Sequence, residues 1–109
     1  MEIKKSFNQK ATESIDRAFD SLADSIELVV YLTLEKDYRV SKEDVPLRPE
    51  KLSEILTRVF GPSGSEFMTK LISKEIIAEF DLPETLRGRS ISELLKEARE
   101  KHEQQTRSE

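Results

Sequence analysis

The chain has 109 residues, of which 36% are hydrophobic and 37% charged, with a formal net charge of -4 at pH 7. That balance excludes a membrane-embedded protein, yet Leu, Ile, Val and Phe are plentiful enough to close one modest core. The acidic and basic residues are interspersed, which argues against non-specific nucleic-acid binding, and the absence of cysteine excludes disulfides, thiol catalysis and cysteine-based metal sites.

No apolar run approaches the roughly 20 residues that span a bilayer. The start Met1-Glu2-Ile3-Lys4-Lys5 lacks the hydrophobic stretch of a secretory signal. A cytoplasmic location is the simplest expectation.

From Phe7 onward, Ala11, Ile15, Ala18, Phe19 and Leu22 recur at three- and four-residue intervals between charged residues, which predicts an amphipathic first helix. Asp24 and Glu27 have capping-box spacing and open a second helix near residue 25. The run Ile26 to Leu34 is apolar nearly all round, so it reads as an element covered on most sides. Periodicity leaves residues 28–34 open between helix and buried strand, and the helical patterns on either side favour helix.

The polar segment from Tyr38 to Arg48 reads as the longest loop, because Pro46 and Pro49 force extended backbone before them. Pro49 suits the first turn of a third helix spanning 49–60, with Leu52, Ile55, Leu56, Val59 and Phe60 on its apolar face. Gly61 is expected to stop it as a left-handed cap.

Ser63 and Glu66 have capping-box spacing and open a fourth helix, 63–80, whose wide apolar face includes Phe67, Met68, Leu71, Ile72, Ile76, Ile77 and Phe80. Ser90 and Glu93 repeat the spacing and open a fifth helix carrying Ile91, Leu94, Leu95 and Ala98. The expected architecture is all-α: a compact bundle of about five helices centred on the second and fourth. A single helical domain covers residues 1–100, and a polar tail over 101–109 frays.

These residues resemble the archaeal output-domain family described from Nitrosopumilus. The similarity rests on Ile15-Asp16-Arg17-Ala18-Phe19 with Leu22, the apolar stretch to Leu34-Glu35-Lys36-Asp37-Tyr38, Ser41-Lys42-Glu43-Asp44-Val45-Pro46, Pro49-Glu50-Lys51-Leu52 and Val59-Phe60-Gly61 before Leu71-Ile72. It spans roughly residues 11 to 82. The resemblance implies an all-helical cytoplasmic domain serving in regulation or signalling, and it brings no catalytic residues with it.

The residues themselves offer few chemical sites. Gly61-Pro62-Ser63-Gly64-Ser65 lacks the lysine of a phosphate-binding loop and places Glu66 where a phosphate would sit. His102 is the sole histidine and sits among polar residues, so it reads as an exposed surface group. Glu75 and Glu79 share a helix face, but with Lys70 and Lys74 nearby they read as a solvated ion-paired surface. No catalytic site, cofactor or metal is expected.

A non-enzymatic regulatory or protein-interaction module fits best. Val29, Val30, Tyr31, Leu32, Leu94 and Leu95 are the candidate interface with a protein partner or a second copy in a homodimer. The first alternative is a DNA-binding regulator using the helix pair 49–60 and 63–80, which requires Arg48, Lys51, Arg58, Lys70 and Lys74 on one contiguous face; nucleic acid is the less expected partner. The second is a small-molecule sensor with a cavity lined by Tyr31, Phe60, Phe67 and Met68.

Overall fold

A computed structural model describes residues 5–20 and 24–107. Leu22 and the capping side chain of Asp24 lie outside the described residues and side chains. The fold is all-α. Helix α1 (Phe7–Asp20) leads to α2 (Asp24–Tyr38), a 3-10 segment (Lys42–Leu47), α3 (Pro49–Phe80), a 3-10 turn (Glu84–Leu86) and α4 (Ile91–Arg107).

Helix α1 begins on a capping arrangement that the sequence reading missed. The Ser6 hydroxyl accepts from the Gln9 backbone N–H at 3.1 Å, while the Gln9 side chain accepts from the Ser6 N–H at 2.8 Å. Its inward stripe is the expected one: Ala11, Ile15, Ala18 and Phe19 are buried.

Residues 28–34 are helical, which decides between the two readings left open. α2 buries Val30 and Leu34 while Leu28, Val29 and Leu32 face outward, so the expectation that the run is covered on most sides is corrected. α3 packs against α1, α2 and α4, and α1 also contacts the 3-10 segment. The core therefore centres on α1 and α3 rather than on α2.

The expected loop between Tyr38 and Arg48 is shorter than predicted. Lys42–Leu47 winds into a 3-10 segment that buries Val45 and Pro46, with Val40 buried just before it.

The third and fourth predicted helices are the two halves of α3, broken at Gly61, whose dihedrals are φ 75 and ψ 174. This is not the left-handed cap expected there. Pro62 clashes with helical ψ in the residue before it and drives Gly61 to extended ψ, a combination with positive φ that glycine alone adopts freely. Pro62 then serves as the first residue of the second half; the expected Ser63 capping bond does not form among the described residues, and the Thr57 and Ser65 hydroxyls meet across the break at 3.1 Å. α3 ends at Asp81, left-handed at φ 53, with the Leu82 N–H donating to the Ile77 carbonyl at 2.9 Å.

The Ser90 cap of α4 is present: its hydroxyl accepts from the Glu93 N–H at 3.1 Å and donates to the Glu93 carboxylate at 3.3 Å. The helix does not stop near Glu100 but runs to Arg107. Lys101 donates to the Asp81 carbonyl at the C-terminus of α3, where a cation meets the negative end of the helix dipole. With a radius of gyration of 13.8 Å, against about 13 Å expected for a domain of this length, the described chain forms one packed body.

Candidate interaction surface

The outward side of α2 carries Leu28, Val29 and Leu32 at 60, 48 and 55% exposure. Residues 28 and 32 lie one turn apart and 29 flanks them, so the three form a continuous apolar ridge along the helix. Glu35, Lys36 and Asp37 continue it as a charged, exposed border, and Leu32 opens onto a broad shallow depression beside them. Large aliphatic side chains concentrated on one helical face are a surface feature that association readily covers.

What holds this ridge outward is the opposite side of α2. The Tyr31 hydroxyl donates to Asp16 of α1 at 2.7 Å, and its ring packs edge-on against Phe19 with centroids 5.8 Å apart. Lys42 reaches the same Asp16 carboxylate at 3.0 Å and lies 5.2 Å from the centre of the Tyr31 ring. Burial, reinforced by the Asp16 carboxylate, pushes the Tyr31 hydroxyl far above its ordinary pKa. At the other end, Asp37 pairs with Arg58 of α3 at 2.9 Å. The rotation of α2 is set by the burial of Val30 and Leu34 and by the Tyr31–Asp16 bond, to which the exposed Asp37–Arg58 pair adds little.

Glu27 stands 3.8 Å from Lys42, and its carboxyl is pushed up by desolvation and then by the neighbouring Asp16 and Asp20. The three acids form a small negative patch neutralised in part by Lys42. Among the described residues no group of three or more histidine or carboxylate side chains is arranged to hold a metal ion.

The six candidate interface residues divide. Val29 and Leu32 are exposed as expected, and Leu28 joins them from the same run. Val30 is fully buried, Tyr31 is half-buried with its hydroxyl turned to Asp16, and Leu94 and Leu95 are core residues at 0 and 3% exposure. The fifth predicted helix thus contributes no apolar interface through these two leucines, because their face seals the core against α3.

The candidate nucleic-acid contacts are only partly brought together. Arg48 and Lys51 share a groove, whereas Arg58 is engaged by Asp37, and Lys70 sits 3.6 Å from Glu66 on its own helix. Of the four residues expected to line a sensing cavity, Met68 is buried in the core, Tyr31 and Phe60 are partly buried against that core, and Phe67 is 56% exposed rather than on the inner face of its helix.

Two bland readings also change in detail. His102 is half-buried, not exposed, with ring centroids 6.2 Å from Phe7 and 6.4 Å from Phe80. Glu75 and Glu79 do form an ion-paired surface, but their partner is Arg17 of α1, at 3.1 and 3.8 Å, rather than a lysine of their own helix. No helix of the described residues is long and apolar enough to cross a membrane. No family model, curated protein or solved structure matches the chain.

Proposed function

We propose that this chain is a non-enzymatic regulatory module of the cytoplasm that works by protein association through the outward face of α2. The observation that carries the reading is the ridge of Leu28, Val29 and Leu32, held in the open by the burial of Val30 and Leu34 and by the Tyr31–Asp16 contact on the opposite side of the helix. The resemblance to the archaeal output domains supports the regulatory part of the reading, and the proposal extends membership of that family to this chain.

The occupant we name is a second copy. A two-fold arrangement of antiparallel α2 helices sets Leu28 of one copy against Leu32 of the other and keeps each Lys36 away from its equivalent, which a parallel arrangement would not. Three aliphatic side chains fall well short of the roughly 800 Å² per partner of a standard interface. The association is accordingly weak and concentration-dependent.

The test is the amide spectrum of the labelled protein over a dilution series. Shifts confined to residues 28–37 and saturating at high concentration are the expected result. Shifts centred elsewhere, or a spectrum that does not change with concentration, would remove the second copy as occupant.

A further inference from the structure

A groove of about 370 Å³ lies where the end of α2, the 3-10 segment and the start of α3 meet. Its walls carry Arg39, Arg48 and Lys51 around the ring of Tyr38, with Asp44 as the only acidic residue among them. Three cations against one carboxylate is the reverse of the chain as a whole, which carries a net charge of -4. From this concentration of positive charge in a concave site we infer that the groove binds a small phosphate-bearing ligand.

The availability of the cations is the first support. No described carboxylate lies within ion-pairing distance of Arg39 or Arg48, while most other arginines of the chain, including Arg17, Arg58, Arg87 and Arg89, are paired. Lys51 rests over the Tyr38 ring at 5.8 Å and is 3.7 Å from Glu54, a loose exposed pair that a phosphate would outcompete. Asp44 accepts the Ser41 hydroxyl at 3.0 Å, so part of its acceptor capacity is turned to its own segment. Guanidinium forks offer the planar paired donors that phosphate oxygens take.

Arg39 supplies a second support. It follows the last residue of α2 in a left-handed conformation with φ 57, a position that glycine or asparagine normally fills. An arginine there costs about 1 kcal/mol of backbone strain, and among the described residues no ion pair or hydrogen bond of its side chain offsets it. The residue is explained if its guanidinium is used by a ligand in the groove. The start of α3 adds to the field, because Arg48 occupies its cap position with no side-chain cap and the helix dipole is positive at that end.

Size and charge select a small ligand over a polyanion. The volume lies at the lower end of small-molecule sites, about 300–1,000 Å³. Extending a nucleic-acid backbone past the groove would meet Glu50 and Glu54, both exposed on the first turns of α3. The site does not depend on what covers α2, so the two proposals fail separately.

The experiment is a titration of the labelled protein with inorganic pyrophosphate at constant ionic strength, with a short single-stranded oligonucleotide as a second arm. The expected result is a saturable shift of amides in the 38–51 region, weakened about tenfold or more by Arg48→Gln through loss of one charge-assisted contact. Arg39→Gly should weaken binding likewise while raising the melting temperature, since glycine relieves the left-handed strain; its melting curve, recorded beside the titration, separates lost binding from lost fold. Absence of saturation, shifts spread over Lys70, Lys74 and Lys96, or unchanged affinity in both variants would overturn the site. Tighter binding of the oligonucleotide, growing with its length, would overturn the small ligand in favour of a nucleic-acid surface.

Discussion

At Tyr31 a hydrogen bond, an aromatic contact and a cation over the ring meet on one side chain. Removing only the oxygen isolates the first. Tyr31→Phe is expected to cost about 1.5–3 kcal/mol at neutral pH, the range for a hydrogen bond to a charged group, measured by urea unfolding. The pH dependence follows in sign. Tyr31 and Lys42 both have raised pKa values in the fold, Tyr31 from 10.0 and Lys42 from 10.5, so the stability they contribute is present below those values and is lost as pH rises above them. Wild type should therefore lose stability above pH 10, less steeply in Tyr31→Phe.

Glu27, raised from 4.5, contributes in the same sense at acid pH: the fold favours its neutral form, and that preference is lost as pH rises through the folded value. Glu27→Gln should accordingly raise the melting temperature at pH 7 and change it little at pH 4. At this scale the sequence conveyed the apolar character of Tyr31 but not its role. The partner of its hydroxyl sits on another helix, and only the tertiary arrangement makes Asp16 and Lys42 its neighbours.

The elements were more legible where a local rule governs them. Ser90 and Glu93 cap α4 as their spacing predicts, and Ser90→Ala should cost about 0.5–2 kcal/mol. The break near residue 61 was also visible, but its geometry was not, because the influence of Pro62 on the residue before it outweighs the usual helix-ending behaviour of glycine. A Cβ on Gly61 would meet nothing within 4 Å, so Gly61→Ala tests backbone strain alone and should cost about 1–3 kcal/mol. Gly64→Ala is a different case: its Cβ would approach Phe60 Cβ to 2.7 Å, which forces the two halves of α3 apart. For α2 the all-round apolarity predicts cover on most sides, by the core or by a partner, without showing which face goes to which. A helix at the edge of a small bundle covers only one side, and nothing local indicates which.

For the molecule as a whole, the all-α architecture was readable from periodicity and capping, and the site was only partly so. Val29 and Leu32 lie on the exposed ridge, while Leu94 and Leu95 proved to be core, since an amphipathic stripe looks the same whether it meets its own bundle or a partner. The polar end of α4 was read as a frayed tail because it carries no apolar residue, yet Lys101 and His102 fasten it to Asp81, Phe7 and Phe80. Deleting residues 101–109 should lower stability by about 1–3 kcal/mol, seen as a fall of about 4–8 °C in Tm per kcal/mol for a domain of this size.

The association surface is tested most directly by sedimentation equilibrium of wild type and Leu32→Glu over a wide concentration range. Leu32 is 55% exposed, so the substitution should leave folding stability within about 0.5 kcal/mol. Wild type is expected to move from monomer towards dimer as concentration rises, with Leu32→Glu monomeric throughout. A wild type that stays monomeric at every concentration, or a Leu32→Glu protein that dimerises equally well, would contradict the assignment of α2 as the surface through which the copies meet.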